Sequence, residues 1–162
     1  LASERPATFD GAAATVRAAV GKLGVPIEGV QLFDGSGLSR ANAIPARTLA
    51  DLLAVSAQPK HPKLRTLLAG LPVAGFSGTL TDRAAKITTA GSAGTATMSA
   101  GLVRAKTGTL TGVRSLAGYV RTASGRLLMF AVLADRIPDD DGDQAELALD
   151  AVAAALAGCG AR

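Results

Sequence analysis

Val16, Val20 and Leu23 recur at i, i+4 and i+7, the spacing that lines one face of a helix. Asp10 stands ahead of them as a candidate N-cap and Gly24 supplies a stop, so the pattern predicts a helix over residues 10–23. Val30-Gln31-Leu32-Phe33 reads as a short strand that empties into the turn-rich Asp34-Gly35-Ser36-Gly37-Leu38-Ser39-Arg40. Pro45 suits the first turn of a second helix, whose Leu49, Leu52 and Leu53 form an apolar stripe. The prolines of Gln58-Pro59-Lys60-His61-Pro62 enforce a loop, and a short helix is predicted over residues 63–69. Residues 84–101 are almost all Ala, Gly, Ser and Thr, with little to bury, and are expected to form a mobile excursion.

Three strands are then predicted, over residues 102–106, 115–122 and 126–134, joined by glycine-containing turns at 108–112 and 124–125. The third, Leu127-Leu128-Met129-Phe130-Ala131-Val132-Leu133, is apolar at every position and is expected to be central and covered. A last helix over 144–157 presents Leu149, Val152, Ala153 and Leu156 on one face and stops at Gly158. The expectation is an α+β domain in which a three-strand antiparallel meander is flanked by helices. No internal repeat and no interior domain boundary interrupts it.

Composition narrows the chemistry. With 162 residues and 48% hydrophobic content the chain can bury a core, but only 3% is aromatic, so Ala, Leu and Val must build it. The net charge of +4 is scattered, and Arg104, Arg114, Arg121 and Arg126 straddle the strands without the aromatic interleaving of a nucleic-acid surface. A mildly basic exterior suits an acidic polymer such as a cell wall. His61 is the sole histidine and Cys159 the sole cysteine, which excludes a Ser-His-Asp triad, a His/Cys zinc site and a disulfide within the chain. No window reaches the length of a membrane span, and Leu1-Ala2-Ser3-Glu4-Arg5-Pro6 has neither Met nor an apolar leader. The chain is expected to begin mid-protein or after processing.

The stretch with chemistry in it is Leu102-Val103-Arg104-Ala105-Lys106-Thr107-Gly108-Thr109-Leu110. An ammonium at a strand end gives a fixed positive charge for a substrate carboxylate and for proton relay. The hydroxyls of Thr107 and Thr109 can donate to that carboxylate, and Gly108 lets backbone approach substrate without a Cβ in the way. A strand-edge N–H here can also bond a developing oxyanion. On the tripeptide alone a second reading stays open: a solvated lysine at the mouth of a hairpin.

Four blocks in one order add context. Asp34-Gly35-Ser36-Gly37-Leu38-Ser39-Arg40 with Asn42, Leu71-Pro72-Val73-Ala74-Gly75 with Gly78-Thr79-Leu80, Arg104 to Leu110, and Leu116-Ala117-Gly118-Tyr119-Val120 together resemble the C-terminal third of the peptidase S13 family, from about Asp10 to Leu133. These are serine D-alanyl-D-alanine carboxypeptidases, the low-molecular-weight class C penicillin-binding proteins. The resemblance implies a penicillin-binding, β-lactamase-like fold, of which residues 1–162 are the C-terminal part. Lys-Thr-Gly would be the third motif of the site, after Ser-x-x-Lys and Ser-x-Asn. It implies that Lys106 serves electrostatics and proton transfer, that Thr107 and Thr109 bind the terminal D-Ala carboxylate, that the Thr109 N–H is an oxyanion donor, and that Gly108 gives steric room. The implied substrates are peptidoglycan stem peptides, with β-lactams acylating the same serine, in an exported protein outside the bacterial cytoplasm, with no metal or organic cofactor. The implied partner is the N-terminal half of the same protein.

The departures matter equally. No serine here has a lysine three residues later, and the sole asparagine, Asn42, is preceded two positions earlier by Arg40, so both earlier motifs are missing. The nucleophile is therefore expected outside this chain, which by itself is expected to be inactive. A serine β-lactamase and a catalytically dead penicillin-binding scaffold are the alternatives. Ser36 and Ser39 are read as turn hydroxyls, not nucleophiles. His61 is read as a loop residue and Cys159 as incidental. Asp139-Asp140-Asp141-Gly142-Asp143 fails the calcium-loop register, since Ile137 takes its first place, and fits a helix N-terminus better.

Overall fold

A computed structural model describes residues 7–83 and 100–159. Helix α1 (Phe9–Lys22) is capped two residues earlier than expected: Thr8, not Asp10, is the N-cap, its hydroxyl accepting from the Gly11 N–H at 3.1 Å. Asp10 falls inside the first turn, where its charge suits the helix dipole. Gly24 ends the helix at φ 80°, a conformation a side chain would strain.

The strand expected at residues 30–33 is reduced to a single bridge, Gln31 with Ala43. The backbone beyond it is diverted, since the Phe33 N–H donates to the Asn42 side chain at 2.8 Å instead of a ladder. Helix α2 (Ala46–Ser56) follows Pro45 as anticipated, and α3 (Arg65–Ala69) is preceded by a 3-10 turn at Pro62–Leu64. Residues 84–99, most of the Ala/Gly/Ser/Thr run, lie outside the described residues.

Strands β1 (Val103–Leu110), β2 (Val113–Arg121) and β3 (Leu127–Ala134) form an antiparallel sheet in the order β1-β2-β3. The central strand is thus β2. The expectation that 126–134 would be central is corrected: among the described strands β3 lies at an edge. Its continuous apolar run has another cause. One face of β3 meets the core while the other meets α2, so helices cover both sides of an edge strand.

The register opposes Val103, Ala105, Thr107 and Thr109 to Val120, Gly118, Leu116 and Arg114. Directly opposed residues share a face. On that face Val103, Ala105, Leu116, Val120 and Phe130 pack with Leu149, Ala153 and Ala157 of α4 (Gly142–Ala157). The C-terminal end of α4 is stitched back to the β2–β3 turn, where the Ala123 N–H donates to the Ala157 carbonyl at 2.8 Å. Close packing depends on Gly118: a Cβ there would run into the Arg104 carbonyl and the Ala105 backbone of β1. The opposite face, with Arg104, Lys106, Gly108 and Leu110, looks toward α2 and the 34–42 loop.

Candidate active site

The Lys-Thr-Gly stretch is not at a strand end. β1 runs on to Leu110 and turns through two residues, Thr111 and Gly112, with Gly112 at φ 71°. Lys106, Thr107, Gly108 and Thr109 therefore sit within a regular strand, which argues against a lysine at a hairpin mouth. Alternation puts Lys106 and Gly108 on the α2 face and Thr107 and Thr109 on the α4 face.

What makes this stretch accessible is the outer edge of β1. Its first half is occupied: the Ala74 N–H donates to the Val103 carbonyl at 2.9 Å, and the Ala105 N–H to the Pro72 carbonyl at 3.0 Å. In an antiparallel ladder the outward-facing residues alternate. The even residues bond β2, as the Arg121 N–H to Leu102 carbonyl contact shows, so the amides of Thr107 and Thr109 point to the open edge. Past Ala105 no strand among the described residues continues along this edge beside those groups.

On the α2 side lies a cleft of about 520 Å³ lined by Lys106, Thr107, Gly108 and Thr109 together with Ser36–Arg40, Asn42, Leu110 and Ser115. All four residues expected at the site thus line one cleft. Gly108 earns its place differently from expectation: its absent Cβ points at the Ser115 hydroxyl on the neighbouring strand. The room it gives is first of all room for a cross-strand side chain. The Lys106 ammonium, on an exposed side chain, donates to the Thr107 carbonyl at 2.8 Å.

The facing wall is organised by Asp34, a residue the sequence showed only as part of a turn. Its buried carboxylate accepts from Asn42 Nδ2 at 2.7 Å, Ser36 Oγ at 2.5 Å, and the N–H groups of Gly37, Leu38 and Ser39 at 3.1–3.2 Å. Those donors, the Asn42 amide first and the Ser36 hydroxyl second, hold its pKa far below the usual carboxylate range against the opposing effect of burial. The Ser39 hydroxyl accepts from the Ala41 N–H at 3.3 Å. Ser36 and Ser39 are thus engaged in loop structure, consistent with their reading as turn hydroxyls. Arg40 ties this wall to the sheet, donating to the Thr111 carbonyl at 3.1 Å.

A third support comes from the segment beside β1. In the 3-10 turn Gly78–Leu80, the Thr79 hydroxyl lies 2.9 Å from the Thr107 hydroxyl. The segment is anchored by Leu80, which is 2% exposed, and by Arg83. Arg83 donates to both carboxylate oxygens of Asp150 on α4, at 3.0 and 2.6 Å, with Glu146 3.7 Å away. Neither the Asp34 hub nor the Thr79 contact was singled out from the sequence. The Asp-Gly-Ser-Gly spacing and Asn42 carried a signal for the first, whereas nothing local pointed to the second.

Other candidates fall away. Asp139–Asp141 form a 3-10 turn leading into α4, and among the described residues no group of His, Cys, Asp and Glu is arranged to hold a metal ion. Cys159 is exposed. His61 is half-buried in its turn, with Nε2 shielded from solvent and without a hydrogen-bond partner among the described residues. Among the described residues no helix is long and apolar enough to cross a membrane.

Known proteins resemble this chain in sequence and in fold. The chain is 42% identical over 156 residues to Carboxypeptidase DacB of Mycolicibacterium smegmatis, covering 96% of this chain and 32% of that protein. It is 41% identical over 125 residues to the D-alanyl-D-alanine carboxypeptidase of an Actinomadura species, covering 74% of this chain and 21% of the relative. The structure resembles penicillin binding protein 4 (dacB) of Haemophilus influenzae, with a TM-score of 0.71 at 26% identity, over 92% of this chain and 32% of that one. The same protein complexed with a β-lactam gives a TM-score of 0.73 at 29% identity over 91% of this chain and 33% of that one. The chain thus spans about a fifth to a third of the length of the curated relatives it matches. The model of the D-Ala-D-Ala carboxypeptidase 3 (S13) family matches residues 1–156, and the chain belongs to that family.

Proposed function

We propose that the complete protein is a serine-type D-alanyl-D-alanine carboxypeptidase of the cell envelope, and that residues 1–162 are the C-terminal part of its penicillin-binding domain. In this reading the substrates are peptidoglycan stem peptides, and β-lactams acylate the same nucleophile. The nucleophile is a serine in a Ser-x-x-Lys motif outside this chain, with Ser-x-Asn beside it. One observation carries the reading: among the described residues no strand pairs with the outer edge of β1 from Thr107 onward, and the cleft beside that edge is lined by Lys106.

The chemistry follows from those groups. A peptide ending in D-Ala-D-Ala lies along the β1 edge with its terminal carboxylate near the Thr107 and Thr109 hydroxyls. The external serine oxygen attacks the carbonyl carbon between the two D-Ala residues, and the carbonyl oxygen becomes an oxyanion facing the Thr109 N–H. Such donors contribute about 10²–10³ in rate when positioned before the charge forms. Lys106 supplies positive charge near the carboxylate and assists the proton that moves to the departing amine. The C–N bond breaks, D-Ala leaves, and water then cleaves the acyl ester and regenerates the serine.

Replacing Lys106 by Ala in the complete protein tests this. Both acylation by a fluorescent penicillin and release of D-Ala are expected to fall by ~100-fold or more, the scale of lost acid–base and charge assistance. Near-normal turnover would return Lys106 to the status of a solvated cation. A dead scaffold is distinguished by the same assay, since the parent protein itself would then neither label nor release D-Ala.

A further inference from the structure

We propose that Thr79 is a positioning residue for carboxylate recognition, fixing the direction in which the Thr107 hydroxyl donates. The inference rests on the reading of Thr107 as a carboxylate donor given above. It starts from the 2.9 Å contact between the two threonine hydroxyls, which join residues from separate segments of the chain.

A threonine hydroxyl has one hydrogen to give and two lone pairs to accept with, whereas a carboxylate only accepts. Once a substrate carboxylate sits at the β1 edge, the single Thr107 hydrogen must go to it. The contact with Thr79 then has only one possible sense: Thr79 donates and Thr107 accepts. Thr79 thereby selects the Thr107 rotor that points its hydrogen at the substrate. Hydrogen bonds in such a chain polarise one another, so the terminal bond to the carboxylate is strengthened as well as aimed.

The scaffold behind Thr79 is built to hold that oxygen still. Gly78 adopts φ 58° with its Cβ direction against the Pro72 ring at 3.1 Å, so the turn is tight and packed. On the other side Leu80 is buried, and its carbonyl accepts from the Gly75 N–H at 3.0 Å. Three residues on, the buried bidentate pair of Arg83 and Asp150 binds the segment to α4, the helix that also backs β1. Thr79 is the exposed residue between these anchors, and its hydroxyl reaches Thr107, whose amide points to the outer edge of β1.

The test compares two forms of one peptide in the complete enzyme: a free D-Ala-D-Ala carboxylate and the same peptide as its C-terminal amide. The parent enzyme is expected to prefer the free acid in kcat/KM, and Thr107→Val to erase most of that preference. Thr79→Val, nearly isosteric, is expected to lower the preference by ~5-fold, mainly through KM for the acid, while kcat/KM for the amide stays within about 2-fold. Thr79→Ser keeps the hydroxyl and is expected to restore the parent preference, which separates hydrogen bonding from packing. Equal losses on acid and amide in Thr79→Val, or no loss on either, overturn the positioning role and leave the Thr107 reading standing. Retention of the preference in Thr107→Val overturns both.

Discussion

At the scale of single residues, two glycines on adjacent strands show how differently a missing side chain can be used. A Cβ on Gly118 would strike backbone atoms of β1, which cannot move without breaking the ladder. A Cβ on Gly108 would strike only the Ser115 hydroxyl, with the Ser115 Cβ a comfortable 3.7 Å away. The first conflict has no local remedy, and the second has an obvious one. Gly108→Ala is therefore expected to destabilise by about 1–3 kcal/mol, the usual cost of overpacking, and Ser115→Ala to recover most of that loss. Urea unfolding of the two single variants and the double variant checks it. An undiminished Gly108→Ala penalty in the Ser115→Ala background would place the constraint on the substrate side of the strand instead. Gly118→Ala is expected to be the costlier change, with no such rescue from side-chain trimming at Ala105.

At the scale of elements, the loop from Asp34 to Asn42 is held by one carboxylate with five donors, and that predicts a pH dependence of definite sign. Its pKa in the folded protein is depressed, chiefly by the Asn42 and Ser36 side chains. A depressed carboxylate stabilises the fold fully above its unfolded pKa, about 4, and loses that contribution as the pH falls toward the lower folded value. Asp34→Asn is accordingly expected to be clearly less stable than the parent at pH 7, with the gap narrowing steadily below pH ~4. A gap that stays constant down to pH ~2 would mean that the loop depends on shape and not on charge. The loop also marks where sequence reading reached its limit. Alternation and turn residues located all three strands of the sheet and the helices on either side. They missed that pairing over residues 30–33 stops at the single Gln31–Ala43 bridge, because the Asn42 side chain takes the Phe33 N–H and the Asp34 carboxylate gathers the N–H groups of residues 37–39 into a loop. They also ended β1 too early: Gly108 looks like a turn signal until its cross-strand neighbour is known. Lys106, Thr107 and Thr109 could be located from their motif. Thr79 could not be linked to them, because its partner lies 28 residues away.

Across the whole molecule, the described residues assemble one well-packed side and one open side. The core gathers between the sheet and α4, while the cleft face leaves Leu38 70% exposed and the β1 edge unpaired beyond Ala105. The cleft is lined by Lys106, Thr107 and Thr109, with the amides of both threonines at the outer edge of β1, yet its serines, Ser36, Ser39 and Ser115, serve the loop and the sheet. None has a lysine three residues on to take its proton. On the proposed reading, Lys106, Thr107 and Thr109 serve recognition and charge stabilisation, and nucleophilic activation comes from outside these 162 residues. The consequence is separable in experiment. A purified polypeptide of these 162 residues is expected to form no covalent adduct with a fluorescent penicillin under conditions that label the complete protein to saturation. Adding back the remaining part of the protein as a separate polypeptide is expected to restore labelling, with the label carried by that other polypeptide. Label on the 162-residue chain itself would put the nucleophile among its own serines, and Ser36→Ala and Ser39→Ala would then identify which one.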